Sequence, residues 1–300
     1  MADLAKIAVE VREAVERRRH DGVPGHTHAR TIASGGGWQV EDVLCTSGPE
    51  DRSFEERHGG YSVAVVLAGT FQYRNNLGTA LMTPGALLLG NAGESFECGH
   101  EHGYGDRCIA FHYSSDYFQR LIRDVTGSRC ALVFRHNRVP PIRATSDLVA
   151  KVCAGLGRNA LDQLWWEQAA ILTASRVVAV SAGTAAVQEP SVSALARVTN
   201  VLRRVEHQLE KNISVHELAD CAGLSPFHFI RSFRRLTGLT PHQYLLRLRL
   251  QRAAVSLAHS NVKVLDAALD CGFGDLSNFN RNFRREFGCA PHMWRTSLSA

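Results

Sequence analysis

The stretch CGFGDLSNFNRNFRREFG at Cys271–Gly288 belongs to an internal repeat that decides the fold of the C-terminal region. A related copy lies 50 residues earlier, where FIRSFRR at 229–235 corresponds to FNRNFRR at 279–285. The match extends to a shared glycine and a shared Pro-His pair, at Gly238 and Gly288 and at Pro241 and Pro291. Self-similarity at a fixed offset predicts two copies of one supersecondary unit.

Each copy has the pattern of a helix-turn-helix. The capping box Ser214-x-x-Glu217 predicts a helix that runs to Ala222, and a glycine-containing turn follows it. Ser225 and its counterpart Asp275 are favourable N-caps for the second helix of each copy. The paired phenylalanines of that helix, four residues apart, should be buried on one face, so the arginines between and after them project from other faces.

The two copies are joined by a predicted helix from Pro241 to about Ala258. At 1.5 Å per residue it is roughly 27 Å long. A stiff spacer of this order could set two recognition helices into major-groove faces about 34 Å apart on one duplex. One chain would then contact two adjacent DNA segments.

Positive charge is concentrated at the same end of the chain. The net charge is +5, but residues 191–300 hold 15 Lys and Arg against 8 Asp and Glu, which leaves residues 1–190 at −2. This asymmetry predicts a polyanion-binding module attached to a neutral one. The alternative is an ordinary soluble domain that happens to be basic.

The N-terminal region is predicted to be mainly β-structure. A helix at 3–19 precedes short apolar runs separated by turn residues from Trp38 to Tyr113, which predicts a small antiparallel barrel or sandwich. Three helices should follow, at 115–126, 146–156 and 161–181. A small, polar, proline-containing linker at 183–193 divides the chain into predicted domains at 1–182 and 194–300.

Composition narrows the class of protein. The longest apolar run is too short to span a bilayer, and the N-terminus lacks the apolar core of a signal peptide, so we expect a cytoplasmic protein with no membrane contact. None of the eight cysteines forms a CxxC pair. Reduced thiols that mostly pack in cores are therefore expected.

The repeated helix-turn-helix pattern of the C-terminal region resembles that of a known family. Residues 195–297 are similar to the DNA-binding domain of the AraC/XylS family of transcription regulators, most specifically at Cys271–Gly288 followed by Pro291 and Arg295. The resemblance implies an α+β multidomain fold. An N-terminal cupin-like β-barrel with flanking helices would precede an all-α domain of two helix-turn-helix modules joined by a linker helix. For the barrel, the resemblance is based on the order and spacing of the apolar runs and turn residues, from His58 to Leu81-x-x-Pro84-Gly85-x-Leu87.

Carried over by position, the resemblance implies a set of DNA-contacting residues on the two recognition helices. They are Phe227, His228, Ile230, Arg231 and Arg234 in the first module, and Leu276, Ser277, Asn278, Asn280 and Arg281 in the second. Arg231 and Arg281 can each donate twice to guanine, and asparagine can pair with adenine. Ile230 and Leu276 would meet thymine methyl groups or simply pack.

The resemblance also implies partners. We expect promoter DNA, RNA polymerase, a small-molecule effector bound by the N-terminal domain, and either a single chain or a homodimer. The expected protein is a transcription regulator of the activator type, and not an enzyme. The sequence identifies neither the effector nor the operator.

A cluster of possible metal ligands lies in the predicted barrel at Cys98, His100, His102 and Cys108, with His112 further on. If residues 98–102 were extended, the first three side chains would share one face. Two imidazoles and two thiolates suit tetrahedral Zn²⁺. The neighbouring glycines favour a loop equally well, and the expectation of no cofactor stands beside that of zinc.

Two other functions fit the sequence. A metal-dependent cupin enzyme fused to a DNA-binding domain would need a general base, for which Glu55, Glu56 and Glu101 are candidates. A constitutive architectural DNA binder would be indifferent to base sequence. Metal analysis, turnover and competition with random duplex distinguish these functions from an effector-responsive regulator.

Overall fold

The computed structural model describes residues 4–53, 55–126, 133–156, 163–181, 191–211, 213–259 and 261–297. The helices are α1 (Leu4–His20), α2 (Ser115–Thr126), α3 (Arg143–Leu156), α4 (Gln163–Ser181), α5 (Val192–His207), α6 (Val215–Ala222), α7 (Pro226–Thr237), α8 (Pro241–His259), α9 (Val264–Asp270), α10 (Leu276–Phe287) and α11 (Pro291–Ser297). The strands are β1 (Thr27–Gly35), β2 (Trp38–Cys45), β3 (Glu55–Arg57), β4 (Tyr61–Gly69), β5 (Phe71–Asn75), β6 (Gly78–Met82), β7 (Leu87–Gly90), β8 (Ser95–Gly99), β9 (Asp106–Tyr113) and β10 (Arg138–Val139). Among these residues no helix combines the length and apolarity that a membrane crossing requires.

The N-terminal half is built on two antiparallel sheets, as the alternating apolar runs predict. One has the strand order β1-β2-β9-β4-β7-β10 and the other β3-β8-β5-β6. Their facing sides enclose a core of small and aromatic side chains, which includes Ala64, Val66, Tyr73, Met82 and Cys108. The fold class implied by the resemblance, a cupin-like β-domain followed by a helical domain, is confirmed.

Strand β4 is apolar along almost its whole length and does not alternate between apolar and polar residues. Ala64 and Val66 point into the core between the sheets, whereas Val63, Val65 and Leu67 point to the opposite face. That opposite face is covered by helices α1 to α4, so both faces of the strand are buried. Because successive side chains of a strand alternate between faces, burial on both sides requires apolar residues throughout.

The C-terminal half is helical. The capping box at Ser214 and Glu217 forms as predicted, and Gly238 and Gly288 end α7 and α10 in the left-handed conformation with φ of 84° and 78°. A residue without Cβ adopts this conformation at little cost, which explains the shared glycines. The expectation for Ser225 is wrong in part. Its backbone occupies the N-cap position, but its hydroxyl contacts His228 Nδ1 at 2.9 Å and caps no amide.

The two halves share buried surface. Leu81 of β6 packs in the core of the first helix-turn-helix, Ala150 of α3 packs in the core of the second, and Val255 of α8 packs in the N-terminal core. Most of the predicted linker at 183–193 lies outside the described residues, and α5 begins at Val192. The domain limits at 182 and 194 remain predictions.

Candidate functional site: two exposed recognition helices and a buried cysteine–histidine cluster

The first helix-turn-helix consists of α6, a left-handed turn at Gly223 and α7. Phe229 and Phe233 are fully buried and meet edge to face, with ring centroids 5.6 Å apart. They pack against α5, α6 and Tyr244 of α8. With this stripe of α7 fixed inward, the opposite stripe of the helix has to face solvent.

That outer stripe carries the residues predicted to contact DNA. Phe227 is 70% exposed and Ile230 is 36% exposed, and His228, Arg231 and Arg234 are also exposed. Within the described residues neither Arg231 nor Arg234 has an acidic partner. The structure therefore places all five predicted residues of the first module on one accessible surface.

The second helix-turn-helix has the same construction with a different cap. The Asp275 carboxylate accepts hydrogen bonds from the backbone N–H groups of Ser277 at 3.0 Å and Asn278 at 2.9 Å. Phe279 and Phe283 are fully buried against α8, α9 and α11. The cap and the two buried rings set the direction in which α10 presents its outer face.

The outer face of α10 exposes four of its five predicted DNA contacts, namely Leu276, Ser277, Asn278 and Arg281. Asn280 is only half-buried, so part of its surface remains accessible. Asn278 is already engaged, because its Oδ1 atom accepts a hydrogen bond from Asn282 Nδ2 at 2.8 Å. This hydrogen bond fixes the orientation of the Asn278 amide group, so that its amide nitrogen points away from Asn282.

The connecting helix α8 is held to both modules by arginines. Arg249 donates to the backbone oxygens of Leu209 at 2.7 Å and Lys211 at 2.7 Å on one side, and of Gly272 at 3.1 Å on the other. Its 19 residues give a length of about 28 Å at 1.5 Å per residue. Such contacts fix α8 relative to the segments that lead into α6 and α10, as a stiff spacer requires.

A segment of the N-terminal half, residues 138–146, touches the C-terminal ends of both recognition helices. Arg138 is buried and donates to the backbone oxygens of Leu81 and Leu236, and Leu236 lies at the end of α7. Glu286 of α10 accepts hydrogen bonds from Ser146 and from Arg247 Nε, the latter at 2.9 Å. We call residues 138–146 the contact segment.

The candidate metal ligands are placed differently from the prediction. Strand β8 ends at Gly99 and residues 101–102 form a turn, so the extended arrangement assumed for residues 98–102 is absent. The one group of metal-ligand side chains found close together among the described residues consists of Cys45, His100 and Asp106. His100 was predicted, whereas Cys98, His102 and Cys108 lie outside that group.

The buried pair His100 and Asp106 is the centre of this group. The His100 Nε2 atom lies 2.7 Å from Asp106 Oδ1, and both residues are buried. Burial lowers the pKa of His100, but hydrogen bonds to Asp106 and Cys45 outweigh that effect and raise the pKa to about 10. Cys108 Sγ donates to the other carboxylate oxygen at 3.4 Å, and burial raises the pKa of the Cys108 thiol. Cys45 and Asp106 carried no motif that could have identified them in the sequence.

A cavity of about 620 Å³ lies where α1 and the barrel meet α5 and α8. Arginines from three of these elements line it, including Arg12, Arg203 and Arg252. Glu206 is half-buried at its wall, and its Oε1 atom is shielded from solvent with no hydrogen-bond partner. Burial raises the pKa of Glu206 to about 7, against weaker opposing contributions from the Gly69 backbone and Arg203.

We predict that Glu206→Gln removes part of the pH dependence of stability. A carboxyl group whose pKa is raised on folding stabilises fully below its unfolded pKa and loses that contribution as the pH rises through the folded value. The free energy of unfolding of the wild type should therefore fall relative to that of the variant as the pH rises from 4.5 to 7. The difference in the free energy of unfolding at pH 8 should reach at most about 3.4 kcal/mol, at 1.36 kcal/mol per pKa unit. Urea unfolding at pH 5 and pH 8 measures it, and parallel pH profiles would contradict the assignment.

Comparison with known proteins agrees with this architecture. Residues 42–167 match a family model described as AraC-like ligand binding domain, and residues 218–297 match one described as helix-turn-helix domain. The two ranges cover separate halves of the chain in the order that the fold shows. The chain belongs to the AraC/XylS family of transcription regulators. In each module α7 or α10 is the second helix, which is the position of the recognition helix in DNA-binding helix-turn-helix motifs.

Relatives of this AraC/XylS chain include the HTH-type transcriptional activator RhaS of Citrobacter koseri, which is 39% identical over 105 residues. That match spans 35% of this chain and only 38% of the relative. Among solved structures, an AraC-type regulator from Chromobacterium violaceum is 26% identical, with 36% of this chain and 97% of that chain covered at a TM-score of 0.34. ToxT from Vibrio cholerae is 9% identical, with 88% and 100% covered at a TM-score of 0.35.

Proposed function

We propose that this chain is a sequence-specific DNA-binding transcription regulator that responds to a small-molecule effector through its N-terminal domain. The observation that carries the proposal is the pair of accessible recognition-helix surfaces, with Arg231 on α7 and Arg281 on α10 both exposed. Neither guanidinium has an acidic partner among the described residues. An unpaired arginine on the outer face of a recognition helix is the group best suited to bidentate contact with guanine.

The remaining exposed residues fit the same role. Phe227 and Leu276, near the N-terminal ends of α7 and α10, present apolar surface where thymine methyl groups are met in a major groove. Arg234, one turn beyond Arg231, suits contact with a phosphate. The net charge of +7 on residues 191–300 adds sequence-independent attraction to the duplex.

The contact segment provides a physical route for an effector signal. It hydrogen-bonds near the ends of α7 and α10 at once, so a shift of the N-terminal domain would change the relative placement of the two modules. Reading two segments of one duplex depends on that placement. Differential affinity of the effector for two such arrangements would then change DNA affinity.

In this proposal the chain carries no catalytic activity and works in the cytoplasm with RNA polymerase as its partner at a promoter. The activator role is supported by relatives whose names describe transcriptional activators. A homodimer assembled through the N-terminal domain is part of the proposal. Each of these statements is separable from DNA recognition itself.

Selection of bound duplexes from fragmented genomic DNA, with the purified full chain, tests the proposal. We expect a shared sequence motif with two half-sites about one helical turn apart. In competition at fixed salt, the selected duplex should bind roughly 10³-fold or more tightly than random duplex. Equal affinity for selected and random duplexes would reject sequence-specific regulation and favour an architectural binder.

A further inference from the structure

Three potential metal ligands converge at one end of the β-domain. Cys45 ends β2, Asp106 begins β9, and His100 follows β8. One ligand atom from each lies within 4.8 Å of the other two, and the three residues are only 5%, 5% and 6% exposed, respectively. Side chains from two strands and from the residue after a third strand thus meet in a space shielded from water.

The backbone holds the group in place. Cys45 and Asp106 are directly paired across the β2–β9 ladder, so their side chains project to the same face of the sheet. The ring of Phe71 stacks beside His100, with centroids 5.9 Å apart. The ladder and the ring limit the freedom of all three ligands. A site that is already formed loses less entropy when an ion binds.

The donor set has the chemistry of a transition-metal site. A thiolate, an imidazole nitrogen and a carboxylate oxygen are the three ligand types that Zn²⁺ takes in proteins, at about 2.3, 2.0 and 2.1 Å. The sulfur donor disfavours Mg²⁺ and Ca²⁺, which prefer oxygen. A buried histidine–aspartate pair with a purely structural role does not require a thiol beside it. The presence of Cys45 next to His100 and Asp106 therefore favours a metal site.

We propose that Cys45, His100 and Asp106 bind one Zn²⁺ ion in the N-terminal domain, with a fourth ligand supplied by water or an exogenous molecule. Bonds of these lengths at tetrahedral angles place neighbouring ligand atoms about 3.3–3.6 Å apart. The His100–Asp106 distance of 2.7 Å is shorter because a proton bridges the two atoms. The ion replaces that proton and the thiol proton, so binding releases protons and moves the His100 and Asp106 ligand atoms apart by at least about 0.6 Å.

The loop that carries the site also reaches the DNA-binding half. Tyr104, between His100 and Asp106, lies under Arg19 of α1 at 4.1 Å and Arg203 of α5 at 5.2 Å. Fixing both ends of this short loop with an ion would order the Tyr104 ring that joins α1 to α5. This consequence rests on the proposed function, whereas zinc binding itself does not.

Metal titration of the tag-free, chelator-stripped full chain tests the site. Competition against a chromophoric chelator should give one Zn²⁺ per chain. Co²⁺ alone should give the intense near-ultraviolet thiolate charge-transfer band and the visible absorption of a four-coordinate ion. Cys45→Ser and Asp106→Asn should weaken binding by more than the roughly 10–100-fold that loss of an outer-shell partner causes. Cys289→Ser, which changes a half-buried thiol in the second helix-turn-helix, should bind as wild type.

Wild-type protein that binds less than a tenth of an equivalent of zinc would overturn the proposal, whether or not the variants fold. Unchanged binding by folded Cys45→Ser, or loss of the cobalt charge-transfer band in Cys289→Ser instead, would overturn the assignment to Cys45. Circular dichroism establishes that each variant is folded. Because the titration contains no DNA, failure here leaves DNA recognition untouched, and failure of DNA selection leaves the zinc result standing.

Discussion

Phe283→Ala is expected to lower the free energy of unfolding by roughly 3–5 kcal/mol, the range for removing a fully buried phenylalanine ring. The Phe283 side chain is 0% exposed. It lies among Phe279, Phe287 and Trp294, with ring centroids 5.4, 4.5 and 6.3 Å away. These rings come from α10 and α11 and cannot close around the space left by a methyl group without moving the helices.

Urea denaturation monitored by tryptophan fluorescence measures the loss, since Trp294 reports directly on this cluster. Arg284→Ala, at the next position and exposed, is the matched control and should change stability by less than about 0.5 kcal/mol. If Phe283→Ala unfolded at the wild-type midpoint, the second module would not be organised around this ring.

The helical half of this chain could be predicted closely because its signals are local. Ser214 and Glu217 lie three residues apart, the paired phenylalanines lie four apart, and each recognition helix ends at its own glycine. Caps, stripes and left-handed ends act within one or two helical turns. Their outcome therefore depends little on the rest of the fold.

The buried cluster could not be assembled from the sequence for the opposite reason. Cys45 meets Asp106 only because β2 pairs with β9, a contact between residues that are 61 positions apart. Local spacing pointed instead to His102, which lies in a turn outside the group. The role of Arg249 is likewise absent from the sequence, because its guanidinium donates to backbone carbonyls of two other segments. Such partners are fixed by tertiary packing alone.

Arg231→Ala and Arg281→Ala should each weaken binding to the selected duplex by about 1–3 kcal/mol if each guanidinium contacts a base. At 1.4 kcal/mol per tenfold, this is roughly 5- to 150-fold. The two residues lie in separate modules with separate hydrophobic cores, so their effects should add in the double variant to about 2–6 kcal/mol. Fluorescence anisotropy at fixed salt measures each affinity.

The matched control is the double variant Arg120→Ala and Arg123→Ala, which removes the same charge from exposed positions on α2. It should retain most of the affinity, because α2 belongs to the N-terminal half. Wild-type affinity in both single recognition-helix variants would remove Arg231 and Arg281 from the interface.

Arg234→Ala separates contact with bases from contact with phosphates. Loss of a phosphate contact should weaken binding to selected and random duplexes alike and reduce the salt slope by about one. Arg231→Ala should instead reduce the preference for the selected duplex, because a base contact is lost only where the correct base was present. Since both residues lie on the outer face of α7, the contrast tests how that helix is oriented in the groove. An Arg231 variant that kept full preference while losing affinity for every duplex would place α7 along the backbone instead.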